Sequence, residues 1–308
     1  MTTMTTGNAT TAGGGGLSGI YPYLVSPLDG RGRVDERALR RLVGHLLDEG
    51  VHGLSPLGST GEVTYLTPAQ REAVVRITVD EAAGRVPVVA GVAAFASADA
   101  AAQAQAMASW EVDGLVGIQL VHGQPSPDEI VDHVHALATA TDLPVVLYTN
   151  PRLGADLPLS ALERIVADET VQYLKDASGV TGRLLTIRSA LGGRLRFFAA
   201  SAHLPAAVLD LGGVGWMAGP ACVAPAAAVA LWDAHRRGDL ARRARLQEAI
   251  WPLNALFVRH GAAPLVKLAL DEAGYPCGDP VRPQRPAPES VRGELRAVLA
   301  GIAEALDA

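Results

Sequence analysis

The chain has 308 residues, of which 49% are hydrophobic, and its formal net charge is −6. This length and apolar content suffice for one large domain or two small ones. Acidic and basic residues are interspersed, and no basic or basic–aromatic block indicates a nucleic-acid partner. The two cysteines, Cys222 and Cys277, form no disulfide framework and lack metal-ligand spacing. They fit a reducing compartment, and we expect a cytoplasmic location.

The first 16 residues are uncharged and rich in threonine and glycine, which predicts a disordered tail. No basic region precedes an apolar one, so a secretory signal peptide is not expected. Residues 211–232 are uncharged and long enough to span a membrane. Their four glycines and two prolines favour a strand, a turn and a buried helix instead, and no membrane partner is expected.

From residue 19 onward, short β-branched apolar runs alternate with amphipathic stretches. The predicted strands are 19–26, 51–57, 86–92, 114–120, 144–149, 171–176, 195–200 and 212–217. The predicted helices between them are 34–49, 68–83, 97–112, 127–140, 158–167, 181–190, 202–210 and 222–236. Thr67-Pro68 puts a proline at a first helical position, and Ser97 and Ser126 stand where they can cap.

Eight strands alternating with eight helices predict an α/β fold, a (β/α)8 TIM barrel over residues 17–236. A doubly wound sheet would need only five or six such units. The remaining residues, 237–308, contain three helical stretches (239–260, 262–273 and 289–306) with a proline-rich link before the last. They predict a helical C-terminal extension.

Lys175 stands near the end of the sixth predicted strand, in the stretch VQYLKDASG. Only one other lysine, Lys267, occurs among the 26 basic residues. At a strand end in the mouth of a barrel, loss of solvent lowers a lysine pKa and leaves an amine that can attack a ketone. The alternative is a lysine whose stem is buried and whose charge reaches solvent.

Two further motifs fall at the same end of the predicted barrel. Tyr148 ends the fifth strand, beside Lys175, where a phenol can transfer protons, although a core tyrosine would look the same. After the second strand comes GSTGE, residues 58–62, in which Gly58 opens a loop whose backbone N–H groups can converge on an anion. The hydroxyls of Ser59 and Thr60 add donors, and the loop suits a carboxylate. An ordinary glycine-rich turn is the alternative.

Taken in this order, GSTGE, YTNP (148–151) and YLKDASG (173–179) resemble motifs of the dihydrodipicolinate synthase/N-acetylneuraminate lyase family of class I aldolases. The stretch GGVGWMAG (212–219) is similar to the glycine-rich last strand of that family. The resemblance covers about residues 17–300.

The resemblance implies a role for each matching residue. Lys175 would form an imine, Tyr148 would act as the acid/base phenol, and Ser59 and Thr60, with Gly58, would bind the keto-acid carboxylate. Val214, in the glycine-rich stretch, is taken as a further substrate-binding residue. The substrate implied is pyruvate or a pyruvate-like keto acid, without metal or organic cofactor, and a homo-oligomer, commonly a tetramer, is expected.

Two departures concern the partner of pyruvate, an aldehyde or a leaving group. The family's synthases carry two tyrosines after the fourth strand, where this chain has Val121 and His122. His122 could relay protons or could be an exposed loop histidine. Arg152 stands one place earlier than the arginine that anchors the second substrate's carboxylate in the synthases. We therefore expect poor condensation with aspartate semialdehyde and a better reaction with an uncharged aldehyde or a hydroxylated keto acid.

Several functions remain open at this point. The leading one is a pyruvate-type lyase that runs an aldol reaction, a dehydration or a condensation. A 2-keto-3-deoxy sugar-acid dehydratase or aldolase would use the same lysine and tyrosine with a polyol pocket, to which Ser201, His203 and Gln119 could contribute. A phosphate-binding barrel has support only from residues 212–215, with no basic residue close by. A catalytically inactive keto-acid-binding barrel is the last alternative.

Overall fold

The computed structural model describes residues 16–151, 153–154, 156–201 and 204–308. Within these residues seven parallel strands form one sheet in the order β1-β7-β6-β5-β4-β3-β2. They are β1 (Gly19–Pro22), β2 (Val89–Ala94), β3 (Gly114–Gln119), β4 (Val145–Thr149), β5 (Val171–Asp176), β6 (Arg196–Ala199) and β7 (Gly215–Ala218). Of the predicted tail, residues 1–16, all but Gly16 lie outside the described residues.

The edge between β1 and β2 is closed by residues 51–57, which we call the closing segment. Ser55 bridges Tyr23 on one side, and Leu54 bridges Val88 on the other, both in parallel. The predicted second strand is thus present as a bridging segment and not as a regular strand. The reason is chemical: Pro22, Pro56 and Pro87 line this seam, and proline has no N–H to give to a ladder. The predicted (β/α)8 barrel is confirmed.

Helices follow the strands around the barrel. They are α1 (Glu36–Asp48), α2 (Pro68–Ala82), α3 (Ser97–Ser109), α4 (Pro127–Ala138), α5 (Leu159–Ile165), α6 (Thr181–Leu191), α7 (Pro205–Asp210), α8 (Pro220–Val223) and α9 (Pro225–Arg237). Thr67 and Ser126 each form a capping box with the Gln70 and Glu129 side chains. Ser97 is no cap, because Ala96 holds that position and the Ser97 hydroxyl lies 3.2 Å from His133 Nδ1.

Four helices follow the barrel: α10 (Leu240–Ile250), α11 (Pro252–His260), α12 (Ala262–Glu272) and α13 (Val291–Asp307). The predicted helix 239–260 is divided because Pro252 has no N–H and starts a new helix after Trp251. The division of the chain at residues 236/237 stays a prediction. None of the helices in the described part of the chain combines the length and apolar character needed to cross a membrane.

Aromatic side chains fill the barrel interior in layers. Tyr21 and Tyr173 both pack against Phe198, with ring centroids 5.6 Å apart in each pair. The Tyr173 hydroxyl accepts a hydrogen bond from the Leu17 N–H at the amino-terminal end of the barrel. Side chains two residues further along a strand share its face but lie closer to the carboxyl end. Lys175, two residues after Tyr173, therefore reaches the carboxyl-terminal mouth from the interior.

The closing segment approaches β2 so closely that a side chain at Gly91 would not fit. A Cβ at Gly91 would lie 2.0 Å from the Leu57 carbonyl oxygen, a backbone atom. We predict that Gly91→Ala lowers the free energy of unfolding by about 1–3 kcal/mol, the usual cost of overpacking. Gly293→Ala is the matched control, because Gly293 is exposed in α13 and meets nothing within 4 Å. Urea denaturation of both variants checks this, and equal stabilities would contradict a tight closure.

Candidate active site

Lys175 holds its amine inside the carboxyl-terminal mouth of the barrel. It lies on β5 in register with Tyr148 on β4. Its side chain is only 2% exposed, and Nζ lies 3.7 Å from the ring centroids of both Tyr23 and Tyr148. Among the described residues no carboxylate forms an ion pair with it. The amine is therefore packed between two phenol rings without a counter-charge.

This environment lowers the pKa of Lys175 well below its ordinary value, because burial removes water from the ammonium. The two ring faces attract a cation, but such contacts contribute only about 0.5–2 kcal/mol each. Burial of an ammonium costs several kcal/mol when no anion is paired with it. Desolvation is the larger effect, and it favours the uncharged, nucleophilic amine.

Tyr148 places its hydroxyl among polar groups at the same mouth. The Asn150 Nδ2 donates a hydrogen bond of 2.8 Å to the Tyr148 oxygen, and the Ser59 hydroxyl lies 3.5 Å away. The ring is 4% exposed and stands edge-on to Tyr23, with centroids 6.3 Å apart. A donor aimed at the phenol oxygen stabilises that oxygen when it carries negative charge. This hydroxyl is therefore placed to give up a proton and take it back.

The GSTGE loop turns beneath these rings. Gly58 is required there, because a Cβ would lie 2.4 Å from the Tyr23 ring. Thr60 is 3% exposed, and its hydroxyl would lie 3.1 Å from a Cβ placed on Gly219, at the end of β7. Ser59 is half-buried beside Tyr148. The structure thus brings Gly58, Ser59 and Thr60 to the mouth that holds Lys175 and Tyr148.

Glu62, the last residue of the GSTGE loop, connects the loop to the C-terminal helices. Its Oε2 lies 2.8 Å from Lys267 Nζ, and both side chains are almost fully buried. Its Oε1 accepts hydrogen bonds from the Val281 N–H at 2.6 Å and from Gln284 Nε2 at 2.8 Å. Lys267 also donates to the Ser26 and Asp279 carbonyl oxygens. Charge neutralisation and several charge-assisted hydrogen bonds hold the loop in place.

Asp176, the residue after Lys175, fixes the end of β5. It is 1% exposed, and its Oδ2 lies 2.5 Å from Arg183 Nη1. Its Oδ1 accepts from the Ser178 N–H at 2.8 Å and from the Ser178 hydroxyl. The carboxylate next to the amine is thus occupied by other partners, and it orders the turn that follows Lys175.

A cavity of about 610 Å³ opens above this mouth. Its walls are the ends of β4 and β5 with their loops, Ser201 after β6, and helix α11. Tyr148 lines it together with Trp251, which precedes α11, and with Asn254 and Phe257 of α11. A helix outside the barrel therefore forms one side of the candidate substrate site.

Three residues named from the sequence do not join this cluster. Val214 precedes β7, and its carbonyl accepts from the Gly19 N–H at the start of β1. That position is the amino-terminal end of the barrel, opposite the mouth that holds Lys175 and Tyr148. His122 is exposed and stacks on Phe95 with centroids 4.4 Å apart. Gln119 faces a separate cavity with His133. The expectations for Arg152 and His203 lie outside the described residues.

Three parts of the site were not anticipated from the sequence. Tyr23 stands two residues after Tyr21, so period-2 alternation could have placed its ring in the interior near the carboxyl end. Glu62 and Lys267 could have been singled out from the sequence, because Glu62 belongs to the GSTGE motif and Lys267 is the second of two lysines. Asn254 gave no signal, because helix packing decides what a single amide on α11 faces. Among the described residues, no group of three His, Cys, Asp or Glu side chains could hold a metal ion.

Comparisons with known proteins agree with this geometry. The model of the dihydrodipicolinate synthetase family matches residues 16–302. A 4-hydroxy-tetrahydrodipicolinate synthase of Acidiphilium cryptum is 31% identical over 286 residues, covering 92% of this chain and 98% of the relative. An uncharacterized DapA-like lyase of Halobacterium salinarum is 33% identical over 288 residues, covering 93% of this chain and 94% of the relative. The structure of the 4-hydroxy-tetrahydrodipicolinate synthase of Methylacidiphilum fumariolicum superposes with a TM-score of 0.89 at 25% identity, covering 95% and 98%.

We expect replacement by methionine to change the free energy of unfolding in opposite directions at Lys175 and Lys267. Lys175→Met removes a buried amine that no carboxylate in the described part of the chain pairs with, so we expect a higher free energy of unfolding at pH 7. The unfolded chain keeps the Lys175 proton up to about pH 10.5, whereas the native state has already lost it. Because the unfolded state binds more protons here, Lys175 makes the free energy of unfolding of the wild type rise with pH in this range. The advantage of Lys175→Met shrinks as the pH approaches 10.5.

Lys267→Met leaves the buried carboxylate of Glu62 unpaired, so we expect a loss of about 3–5 kcal/mol. The double variant Glu62→Gln/Lys267→Met removes both charges and should recover most of that loss. Urea denaturation of the three variants between pH 7 and pH 10 measures these differences. If both single variants shift stability in the same direction, the contrast between the two lysines is wrong.

Proposed function

Because the chain belongs to the dihydrodipicolinate synthetase family, whose members are class I aldolases and lyases, we propose that Lys175 forms an imine with pyruvate or a pyruvate-derived 2-keto acid. The observation that carries the proposal is the amine of Lys175, buried between the rings of Tyr23 and Tyr148 with no counter-charge from the residues that the structure describes. It lies at the same mouth as the GSTGE loop, which can hold an anion.

The first step is attack of the uncharged Lys175 nitrogen on the keto carbon. The keto oxygen takes one proton as the carbon–nitrogen bond forms and a second as the carbon–oxygen bond breaks, the nitrogen gives up two protons, and the oxygen leaves as water when the imine is made. Tyr148 is the group placed to supply and recover protons, since its hydroxyl is 3.5 Å from Ser59 and accepts from Asn150. A buried amine is suited to this attack because burial lowers its pKa and so favours the uncharged form.

The second step makes or breaks a carbon–carbon bond at the carbon beside the imine. Loss of a proton from the carbon beside the imine gives an enamine, whose carbon can attack an aldehyde. The aldehyde oxygen takes up a proton, and water then releases the product from Lys175. In the reverse direction the hydroxyl of the adduct loses its proton to the base, the carbon–carbon bond breaks, and its electron pair returns to the enamine. Tyr148 is the proposed carrier of these protons.

The GSTGE loop is the proposed site of the keto-acid carboxylate. The hydroxyls of Ser59 and Thr60 and the loop N–H groups can donate to it, and Ser59 stands beside Tyr148. The ion pair of Glu62 with Lys267 places these donors without adding a free charge to the mouth. Binding at this loop would bring the keto carbon near the amine of Lys175.

The other functions have weaker support. A polyol pocket would need several donors on the acceptor side; Ser201 lines the cavity, but Gln119 faces another one. An inactive binding barrel would not need a desolvated amine in register with a hydrogen-bonded phenol. A homo-oligomer and a cytoplasmic location remain proposals; Cys222 and Cys277, which are both free and buried, are consistent with a reducing compartment.

Borohydride trapping tests the imine directly. Incubation with pyruvate and borohydride should add one reduced pyruvate, and peptide mapping should locate it at Lys175. Lys267 is an internal control, because its amine is paired with Glu62 and bonded to two carbonyls. Lys175→Met should form no adduct. An adduct on Lys267 instead, or no adduct with any of a panel of 2-keto acids, would disprove the proposal.

Tyr148→Phe tests the proton carrier. We expect turnover to fall by roughly 10²- to 10⁴-fold, the range of a positioned acid/base group. Tyr173→Phe is a matched control, since the Tyr173 hydroxyl bonds Leu17 at the far end of the barrel. It should keep most of the turnover. Tyr148→Phe with near wild-type turnover, measured as pyruvate consumed or released, would remove Tyr148 from the mechanism.

A further inference from the structure

Tyr23 contacts the reacting nitrogen of the candidate site, but the mechanism proposed above does not use it. It follows β1 directly and is 1% exposed. Its ring centroid lies 3.7 Å from Lys175 Nζ, the same distance as the centroid of Tyr148. The Tyr23 hydroxyl has no hydrogen-bond partner among the described residues, whereas the Tyr148 hydroxyl accepts from a side chain. Tyr23 therefore meets the nitrogen with the face of its ring and not with its hydroxyl.

The Tyr23 ring is restrained from several sides. The Tyr23 N–H donates to the Ala218 carbonyl at the end of β7, and its backbone bridges Ser55 of the closing segment. Gly58 leaves room for the ring, since a Cβ there would lie 2.4 Å from it. The Tyr148 ring stands edge-on to it at an interplanar angle of 84°. The ring face is thus held toward Nζ, whatever charge that nitrogen carries.

Positive charge develops on this nitrogen in the proposed reaction. The imine on Lys175 takes up a proton and becomes an iminium cation. When the neighbouring carbon loses a proton, the carbon–hydrogen electron pair forms a carbon–carbon double bond. The electron pair of the carbon–nitrogen double bond then returns to nitrogen, and the enamine is uncharged. The cation therefore has to be stabilised before each enamine forms.

The carboxylates near this nitrogen have other partners. Glu62 pairs with Lys267, and Asp176 pairs with Arg183. A cation within about 6 Å of an aromatic face is attracted to it, and the attraction is larger where water is excluded. An uncharged amine gains no comparable attraction. The ring face therefore acts more strongly on the iminium than on the resting amine, which is the condition for catalysis by differential binding.

We infer that Tyr23 is a catalytic residue whose ring face stabilises the positive charge of the iminium formed on Lys175. The inference rests on the proposed function, since an iminium forms only when Lys175 takes a keto acid. Tyr148 moves protons, whereas Tyr23 moves none and acts through the electrons of its ring. The proton gained at nitrogen is balanced by the proton lost from carbon, and no oxidant, reductant or cofactor takes part.

Fluorination of the ring tests this charge effect, because fluorine withdraws electron density from the ring face and changes its size little. The series at position 23 consists of Tyr23→Phe and the same variant carrying 4-fluoro-, 3,5-difluoro- or 3,4,5-trifluorophenylalanine. The measurement is the exchange of pyruvate methyl protons for deuterium in D2O, followed by proton NMR. This exchange reports enamine formation and needs no aldehyde. We expect its rate to fall with each added fluorine, by about threefold to thirtyfold from phenylalanine to the trifluoro ring.

The same fluorinated series at Phe197 is the matched control. Phe197 is 3% exposed on β6, next to Phe198, whose ring packs against Tyr21 in the barrel interior. Neighbouring residues of a strand face opposite sides, so Phe197 points away from Lys175. We expect the exchange rate to change less than about twofold across this control series.

Three results would overturn the inference. The first is an exchange rate that does not change across the series at position 23. The second is an equal fall at positions 23 and 197, because fluorination would then act through packing. The third is a loss of exchange in Tyr23→Phe as large as in Tyr148→Phe, because the hydroxyl of Tyr23 would then carry its role.

Borohydride trapping with pyruvate, run on the same wild-type preparation, separates the two levels of the proposal. An adduct at Lys175 together with an exchange rate that ignores fluorination overturns the inference and leaves the proposed function standing. The absence of any adduct overturns both.

Discussion

Lys175 carries its amine into a space between two phenol rings, where no carboxylate of the described residues pairs with it. The free-energy cost of this arrangement falls on the ammonium and not on the amine, so burial itself prepares the nucleophile. An arginine could not serve here, because a guanidinium keeps its proton in any protein environment. The chain uses arginine for 24 of its basic positions and keeps both lysines buried, at 2% and 4% exposure.

More distant parts of the molecule hold the groups around this amine in place. The Glu62–Lys267 ion pair fastens the GSTGE loop to α12 and to the link before α13, so the helices outside the barrel determine where the loop donors stand. Asp176 is paired with Arg183, so it orders the turn after Lys175 and does not pair with the neighbouring amine. Helix α11 then closes one side of the cavity. The C-terminal extension is thus a part of the candidate site.

The sequence was sufficient for what depends on periodicity and local chemistry. Alternating strands and helices predicted the barrel, and the strand-end positions of Lys175 and Tyr148 predicted their adjacency in register. It was insufficient where chain elements distant in sequence meet. The prolines at 22, 56 and 87 interrupt a strand ladder only because folding brings them to one seam. The glycine-rich run 212–219 contains both ends of β7, so the sequence alone could not tell at which end of the barrel Val214 lies. The wall formed by Trp251, Asn254 and Phe257 depends on helix packing that no motif encodes.

The most direct test of this account is a measurement of the protonation state of Lys175. With only two lysines, a protein labelled with 13C at the lysine Cε position should give two signals, and Lys175→Met identifies one by its absence. The pH is lowered from 11 to 5. The account predicts that the Lys175 signal keeps the position of an uncharged amine as the pH falls through 10.5, and moves only at a pH well below that value. A Lys175 signal that titrates at pH 10.5 or above would contradict it, because the amine would then be an ordinary ammonium at neutral pH.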